Sequence, residues 1–236
     1  MTQLRGVIGL LLAAPLWAGA QDGPQLMDNR VFYRVLLDEL EIAGGGQQDI
    51  GWDGQAWVGT DTRRLWIKTE GERGAGGHDA AQLQLLYSHA IAPYWDLQAG
   101  LRRDFDPQPG GDWAVLSVQG LAPYFFEVEA ELFLGSGGQT GLRLEAEYEL
   151  LITQRLILTP HLELDVFGED DRRRGIGAGA SALEFGARLR YEIRREFAPY
   201  IGLRGIRKLG TTAEFAQNAG DDKRAVEYLA GLRFWF

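Results

Sequence analysis

The sequence predicts an all-β chain: a closed antiparallel transmembrane β-barrel of about twelve strands, with short periplasmic turns and longer external loops. Three observations predict it. Apolar and charged residues alternate with period two over stretches of about ten residues. The last of these stretches ends on the terminal residue, Phe236. The connections between stretches alternate between short and long. A tilted strand that crosses a bilayer needs roughly nine to eleven residues, whereas strands of soluble domains are usually nearer five or six.

The chain opens with Arg5, an apolar segment from Val7 to Leu12, and the small-x-small sequence Ala18-Gly19-Ala20. This order predicts a secretory signal peptide over 1–20, because Pro15 and the short apolar run do not suit a spanning helix. A short periplasmic tail over 21–29 then precedes a single barrel domain over 30–236.

Strands are expected at 31–42, 52–59, 64–72, 81–90, 95–105, 113–121, 124–134, 142–151, 156–167, 181–193, 200–208 and 225–236. The parity is clearest in the middle of the chain. Tyr124, Phe126, Val128, Ala130 and Leu132 alternate with Glu127, Glu129 and Glu131. Leu142, Leu144, Ala146, Tyr148 and Leu150 alternate with Arg143, Glu145, Glu147 and Glu149. Leu156, Leu158, Leu162, Leu164 and Val166 share a face opposite His161, Glu163 and Asp165. Three Ala-Pro-Tyr repeats, at 92–94, 122–124 and 198–200, are read with Thr153-Gln154-Arg155 as the short turns, proline fixing φ and tyrosine suiting the membrane boundary. Gly- and Asp-rich loops are expected near 43–50, 73–80, 106–112, 135–141, 168–180 and 209–224.

Energetics explain the pattern. An open sheet edge in hydrocarbon leaves amides unpaired, so the sheet must close. A Lys or Arg on the lipid face costs about 2–4 kcal/mol at midplane, and the apolar faces named above carry none. Charges therefore point into a narrow lumen.

Composition excludes several function classes. The chain has no Cys, which removes thiol chemistry and zinc–thiolate sites, and its net charge of −9 disfavours nucleic acid. Neither Ser136 nor Ser181 lies in a G-x-S-x-G elbow, so a serine hydrolase is not indicated and no enzymatic activity is expected.

The densest polar constellation falls on the three central strands. A hairpin turning at 153–155 sets Glu147 opposite His161, Glu145 opposite Glu163 and Arg143 opposite Asp165. The preceding strand brings Glu127, Glu129 and Glu131 alongside. Candidate metal ligands are therefore His161, Glu147, Glu145, Glu163, Asp165 and Glu129, held by cross-strand partners because residues i and i+2 on one strand are too far apart to share an ion. Imidazole with carboxylate suits Cu(II), Zn or Ni better than Cu(I). The alternative is a structural charge ladder, with Arg188, Arg190, Arg204 and Arg233 as counter-charges. His78 reads as loop surface, and His89, which shares a face with Leu83, Leu85 and Tyr87, as an interfacial anchor.

The segments DNRVFYRVLLDELE (28–41), YSHAIAPYWDLQAGLRRD (87–104), LAPYFFEVEAELFLG (121–135), LEAEYELLITQRLILTPHLELD (144–165), RYEIRREFAPYIGL (190–203) and LAGLRFWF (229–236) resemble the copper resistance protein B family of proteobacterial outer membranes. The resemblance spans nearly all of the mature chain. It implies an outer-membrane protein that binds copper ions, maintains copper homeostasis and works beside a periplasmic multicopper oxidase. Many members carry a Met- and His-rich segment before the barrel; here the interval 21–28 offers only Met27. The expected role is thus sequestration or passage of copper through an acidic lumen. The alternatives are a non-specific cation or solute channel, or a structural docking barrel.

Overall fold

The computed structural model describes residues 30–44, 49–74, 80–106 and 110–236. The expected signal peptide and tail, and His78, lie outside the described residues.

Within them, twelve strands cross the barrel. These are β1 (Phe32–Gly44), β2 (Asp49–Gly59), β3 (Arg63–Gly74), β4 (Ala80–Ala92), β5 (Trp95–Asp106) and β6 (Gly111–Ala122). They continue as β7 (Phe126–Gly135), β8 (Thr140–Tyr148, resumed beyond Glu149 by Leu150–Leu151) and β9 (Leu156–Phe167). The last three are β10 (Gly179–Tyr191), β11 (Phe197–Lys208) and β12 (Arg224–Trp235). Each strand pairs antiparallel with its neighbours in sequence, and β12 returns to β1 from Leu36↔Trp235 to Gly44↔Tyr228, which closes the sheet. Closure leaves no unpaired edge, as hydrocarbon requires.

The outer face is apolar. Leu85, Leu101, Leu144, Leu162, Ile201 and Tyr228 are all exposed at the middle of their strands, where soluble proteins would carry charge. No helix among the described residues is long and apolar enough to cross a membrane. The apolar belt lies on the strands.

The rims match the expected division with one correction. Short connections join β2 to β3, β4 to β5, β6 to β7, β8 to β9 and β10 to β11. The first two Ala-Pro-Tyr repeats are turns: Tyr94 and Tyr124 adopt left-handed φ of 68° and 67° and are 77% and 83% exposed. The third repeat is not a turn. Ala198, Pro199 and Tyr200 lie within β11, with Pro199 opposite Leu232. The chain instead reverses at 192–196, where Arg194 and Phe197 exchange backbone hydrogen bonds of 3.2 Å. Parity gives the reason. Ile201 and Leu203 face lipid, so Tyr200 points inward, is buried, and donates its hydroxyl to Glu41 at 2.9 Å.

At the opposite rim the expected 209–224 loop contains a helix, α1 (Gly210–Ala219). Gly220 ends it in the left-handed conformation at φ 87°, its amide donating to the carbonyls of Ala216 and Gln217. Thr212 Oγ1 on α1 accepts the Gly177 amide at 2.8 Å and lies 2.6 Å from Ser181 Oγ, which ties the helix to the end of β10. The 168–178 connection sends Arg174 inward to Asp104 at 2.7 Å, where Arg102 and Trp113 also donate at 2.7 and 2.9 Å. The outer mouth is thus narrowed by its own loops.

Two features inside the barrel shape the lumen. Trp66, Leu86, Trp113, Val115 and Phe133 form an inward apolar cluster on the β3–β7 wall. On the other side, β1 bulges: Leu37 pairs with Gly54 and Glu39 with Asp53, leaving Asp38 as the extra residue. A bulge breaks strict alternation. Here it lets Asp38 and Glu39, adjacent in sequence, both line the lumen.

Candidate metal centre

The site is built by register. β9 pairs with β8 as His161↔Glu147, Glu163↔Glu145 and Asp165↔Arg143, and β8 pairs with β7 as Glu127↔Glu147, Glu129↔Glu145 and Glu131↔Arg143. A slip of one residue would turn every one of these groups into lipid, so the apolar outer face of the three strands fixes the polar inner one.

Direct opposition does not decide which side chains meet. His161 stands opposite Glu147, yet its Nε2 lies 3.3 Å from Oε1 of Glu145, the diagonal neighbour. Glu145, His161 and Glu163 each present a ligand atom within 4.8 Å of the others. A bound ion with ligand bonds near 2.0–2.2 Å holds its donors at most ~4 Å apart, so small side-chain rotations complete the set. His161 is nine-tenths buried, and its Nδ1 has no hydrogen-bond partner. An imidazole with an unspent nitrogen beside two carboxylates is a ligand set of borderline-to-hard character, suited to Cu(II), Zn or Ni.

The other three sequence candidates are placed differently. Asp165 accepts from Arg143 Nε at 3.0 Å. Glu129 accepts from Lys68 Nζ at 2.6 Å and from Ser117 Oγ at 2.8 Å. Glu147 lines the larger internal cavity and stands outside the trio. The structure therefore gathers Glu145, His161 and Glu163 and leaves Glu147, Asp165 and Glu129 apart. A second acidic trio, Asp49, Glu72 and Glu227, lies at the outer end of the lumen, where Arg204 approaches Glu227 at 2.6 Å and Glu72 at 3.5 Å.

The arginines expected as counter-charges do act as such, some of them between strands that are not neighbours. Arg188 meets Glu39 at 2.7 Å and Glu41 at 3.3 Å; Arg190 meets Glu149 at 2.7 Å. Arg233 meets both Asp38 and Glu149. Lys68 was missed by the sequence reading, because β3 alternates weakly and nothing local announces a partner 61 residues away.

Two cavities occupy the lumen. The larger, of about 990 Å³, reaches the short-turn rim at Pro93, Tyr94 and Leu121 and is lined by twelve carboxylates against five cationic side chains. The smaller, of about 270 Å³, lies toward the loop rim and contains His161, Glu163 and Arg174. Glu145 lines both, so the trio straddles their junction. Short turns face the periplasm in outer-membrane barrels, which gives the acidic chamber a periplasmic mouth.

Known proteins resemble this chain in sequence and in fold. Residues 31–236 match the family model described as "Copper resistance protein B precursor (CopB)". Copper resistance protein B of Escherichia coli is 46% identical over 219 residues, covering 92% of this chain and 74% of the relative. A copper resistance protein B homolog from Pseudomonas syringae pv. tomato is 41% identical over 218 residues, with the same coverage. Among solved structures, the NanC porin superposes with a TM-score of 0.58 at 13% identity, covering 86% of this chain and 99% of that one. The KdgM porin does so at 0.53 and 9% identity, again covering 86% and 99%. At these identities the porins speak for the fold alone: an outer-membrane β-barrel.

Proposed function

The chain belongs to the copper resistance protein B family and resides in the outer membrane, and from that premise we propose that its barrel takes copper from the periplasm and holds it at Glu145, His161 and Glu163. The observation that carries the proposal is the position of this trio at the junction of the two cavities, where an ion drawn into the acidic inner chamber meets the imidazole. The role is binding and passage, with no bond made or broken in the cargo.

The donor set favours the oxidised ion. Cu(I) selects thiolate and thioether, and the sequence contains no Cys and, beyond the initiator, a single Met, Met27. A periplasmic multicopper oxidase fits as the partner that supplies the ion in this state. A second reading, a cation channel without metal preference, draws support from the excess of carboxylates along the inner chamber.

The two readings separate in one experiment. Cells lacking the protein are grown across a copper series, with zinc and nickel as controls. Lowered tolerance to copper alone is the expected result, whereas equal sensitivity to all three metals would favour the channel. Unchanged copper tolerance would reject both.

A further inference from the structure

Six residues line both cavities: Glu39, Asp53, Glu70, Gln82, Arg143 and Glu145. They form the waist of the lumen, and Arg143 is the one cation among them. Its guanidinium reaches beyond the neighbouring strand to the opposite wall. Nη1 donates to Glu70 on β3 at 3.0 Å, while Nε meets Asp165 at 3.0 Å and Glu163 at 3.3 Å, both on β9. The side chain thus joins one wall of the waist to the other and touches a member of the metal trio.

We infer that Arg143 is a tethered internal cation that competes with the metal for Glu163 and sets which ions pass the waist. The inference rests on the trio being the copper seat, and it adds a residue that selects the ion. The physics is exchange of counter-charges. With no metal present, Glu163 is neutralised by the guanidinium, which also bars the opening. A divalent ion that takes Glu145, His161 and Glu163 neutralises both carboxylates and releases Arg143 to Glu70 and Asp165, which keep it paired. A monovalent ion leaves one carboxylate charge unmet and offers less in return for displacing the arginine. The residue therefore raises the threshold for every ion and raises it most for singly charged ones.

Several other cations do not share this position. Arg190 serves Glu149 near the periplasmic rim, Arg204 serves Glu227 and Glu72 at the outer end, and Lys68 serves Glu129. None of the three is within ion-pair distance of Glu145 or Glu163.

The test uses the full barrel, purified and folded in detergent, with CuCl2 as the titrant in calorimetry. Arg143→Met keeps an unbranched, flexible stem and removes the guanidinium with its charge. It is expected to bind Cu(II) about tenfold tighter or more, because a unit charge a few ångströms from the ion is worth at least that factor at protein-like dielectric. Arg143→Lys should stay near wild type. In planar bilayers Arg143→Met should also conduct K⁺ more readily. Glu70→Gln provides an independent arm in which the arginine stays: lacking its far-side partner, the guanidinium leans on Glu163 and Asp165, and copper should bind more weakly. Glu127→Gln, elsewhere in the same chamber, controls for loss of one acidic charge. Copper affinity unchanged or lowered in Arg143→Met would overturn the inference, as would Glu70→Gln behaving like Glu127→Gln. If instead wild type and His161→Ala bind copper alike, it is the seat itself that fails, a result these variants keep distinct.

Discussion

Replacing His161 with alanine and Glu145 with glutamine together is expected to weaken Cu(II) binding by at least about a hundredfold, since even second-shell changes at metal sites cost ten- to a hundredfold. Copper tolerance should fall to that of cells lacking the protein, with the amount of barrel in the membrane unchanged. The structure explains why folding should survive. The Glu145 carboxylate has its hydrogen-bonding partner in His161 itself, so removing both leaves no buried charge stranded. Glu163 keeps its contact with Arg143. The informative companion is Glu147→Gln. Glu147 is the residue directly across from His161 in the ladder, but it lies outside the trio. Its substitution should change copper affinity by less than the double variant does by a wide margin. Equal losses from both would move the site toward the periplasmic chamber.

The second large effect concerns the membrane. Leu144 sits at the middle of β8, 40% exposed on the outer face, one residue from the inward Glu145. Leu144→Arg is expected to cost about 2–4 kcal/mol, the range for a basic side chain facing lipid at the bilayer midplane. The measurement is the urea midpoint of the folded barrel in lipid vesicles, together with the heat-modifiable folded band from outer membranes. Leu144→Ile should be close to neutral. If Leu144→Arg were tolerated equally well, the face would be touching water, and the partition of the whole barrel would be wrong.

Much of this was legible in the sequence, and the limits of legibility have physical causes. The pairing of β8 with β9 follows from two constraints that agree: a short turn at 153–155 and an apolar face that must stay outside. Together they leave one register, so Glu147↔His161 and Glu145↔Glu163 could be placed from the residues. Which of the two glutamates His161 touches depends on sheet twist and rotamer, which no period encodes, and the answer was the diagonal one. The bulge at Asp38 was hidden because an inserted residue looks, in sequence, like a lapse in alternation. Tyr200 reads as a turn tyrosine because the preceding proline suits a tight turn; its actual position follows only from the parity of Ile201 and Leu203. The helix at Gly210–Ala219 left a readable signal, an Ala-rich run closed by Gly220, which the surrounding loop composition masked. Contacts across the lumen, such as Lys68 to Glu129 and Arg143 to Glu70, connect strands that are not neighbours in the sheet. Closure alone brings them together, and closure is a property of the whole ladder.

The inner hydrophobic cluster has the same origin. Trp66, Leu86, Trp113, Val115 and Phe133 occupy lumen-facing positions on β3, β4, β6 and β7 and fill space beside the polar groups of the same wall, Lys68, Glu70 and Glu129 among them. With that space filled, the acids line a path narrower than the cross-section of the barrel. That confinement is what makes a three-residue waist site able to intercept an ion.

The account stands or falls on whether copper inside this barrel is bound by one imidazole and carboxylate oxygens. Pulsed electron paramagnetic resonance on the purified, Cu(II)-loaded barrel reads this directly through the remote nitrogen of a coordinated histidine. The account predicts modulation from a single imidazole that disappears in His161→Ala. A spectrum without imidazole coupling, or one that persists unchanged in that variant, would contradict it.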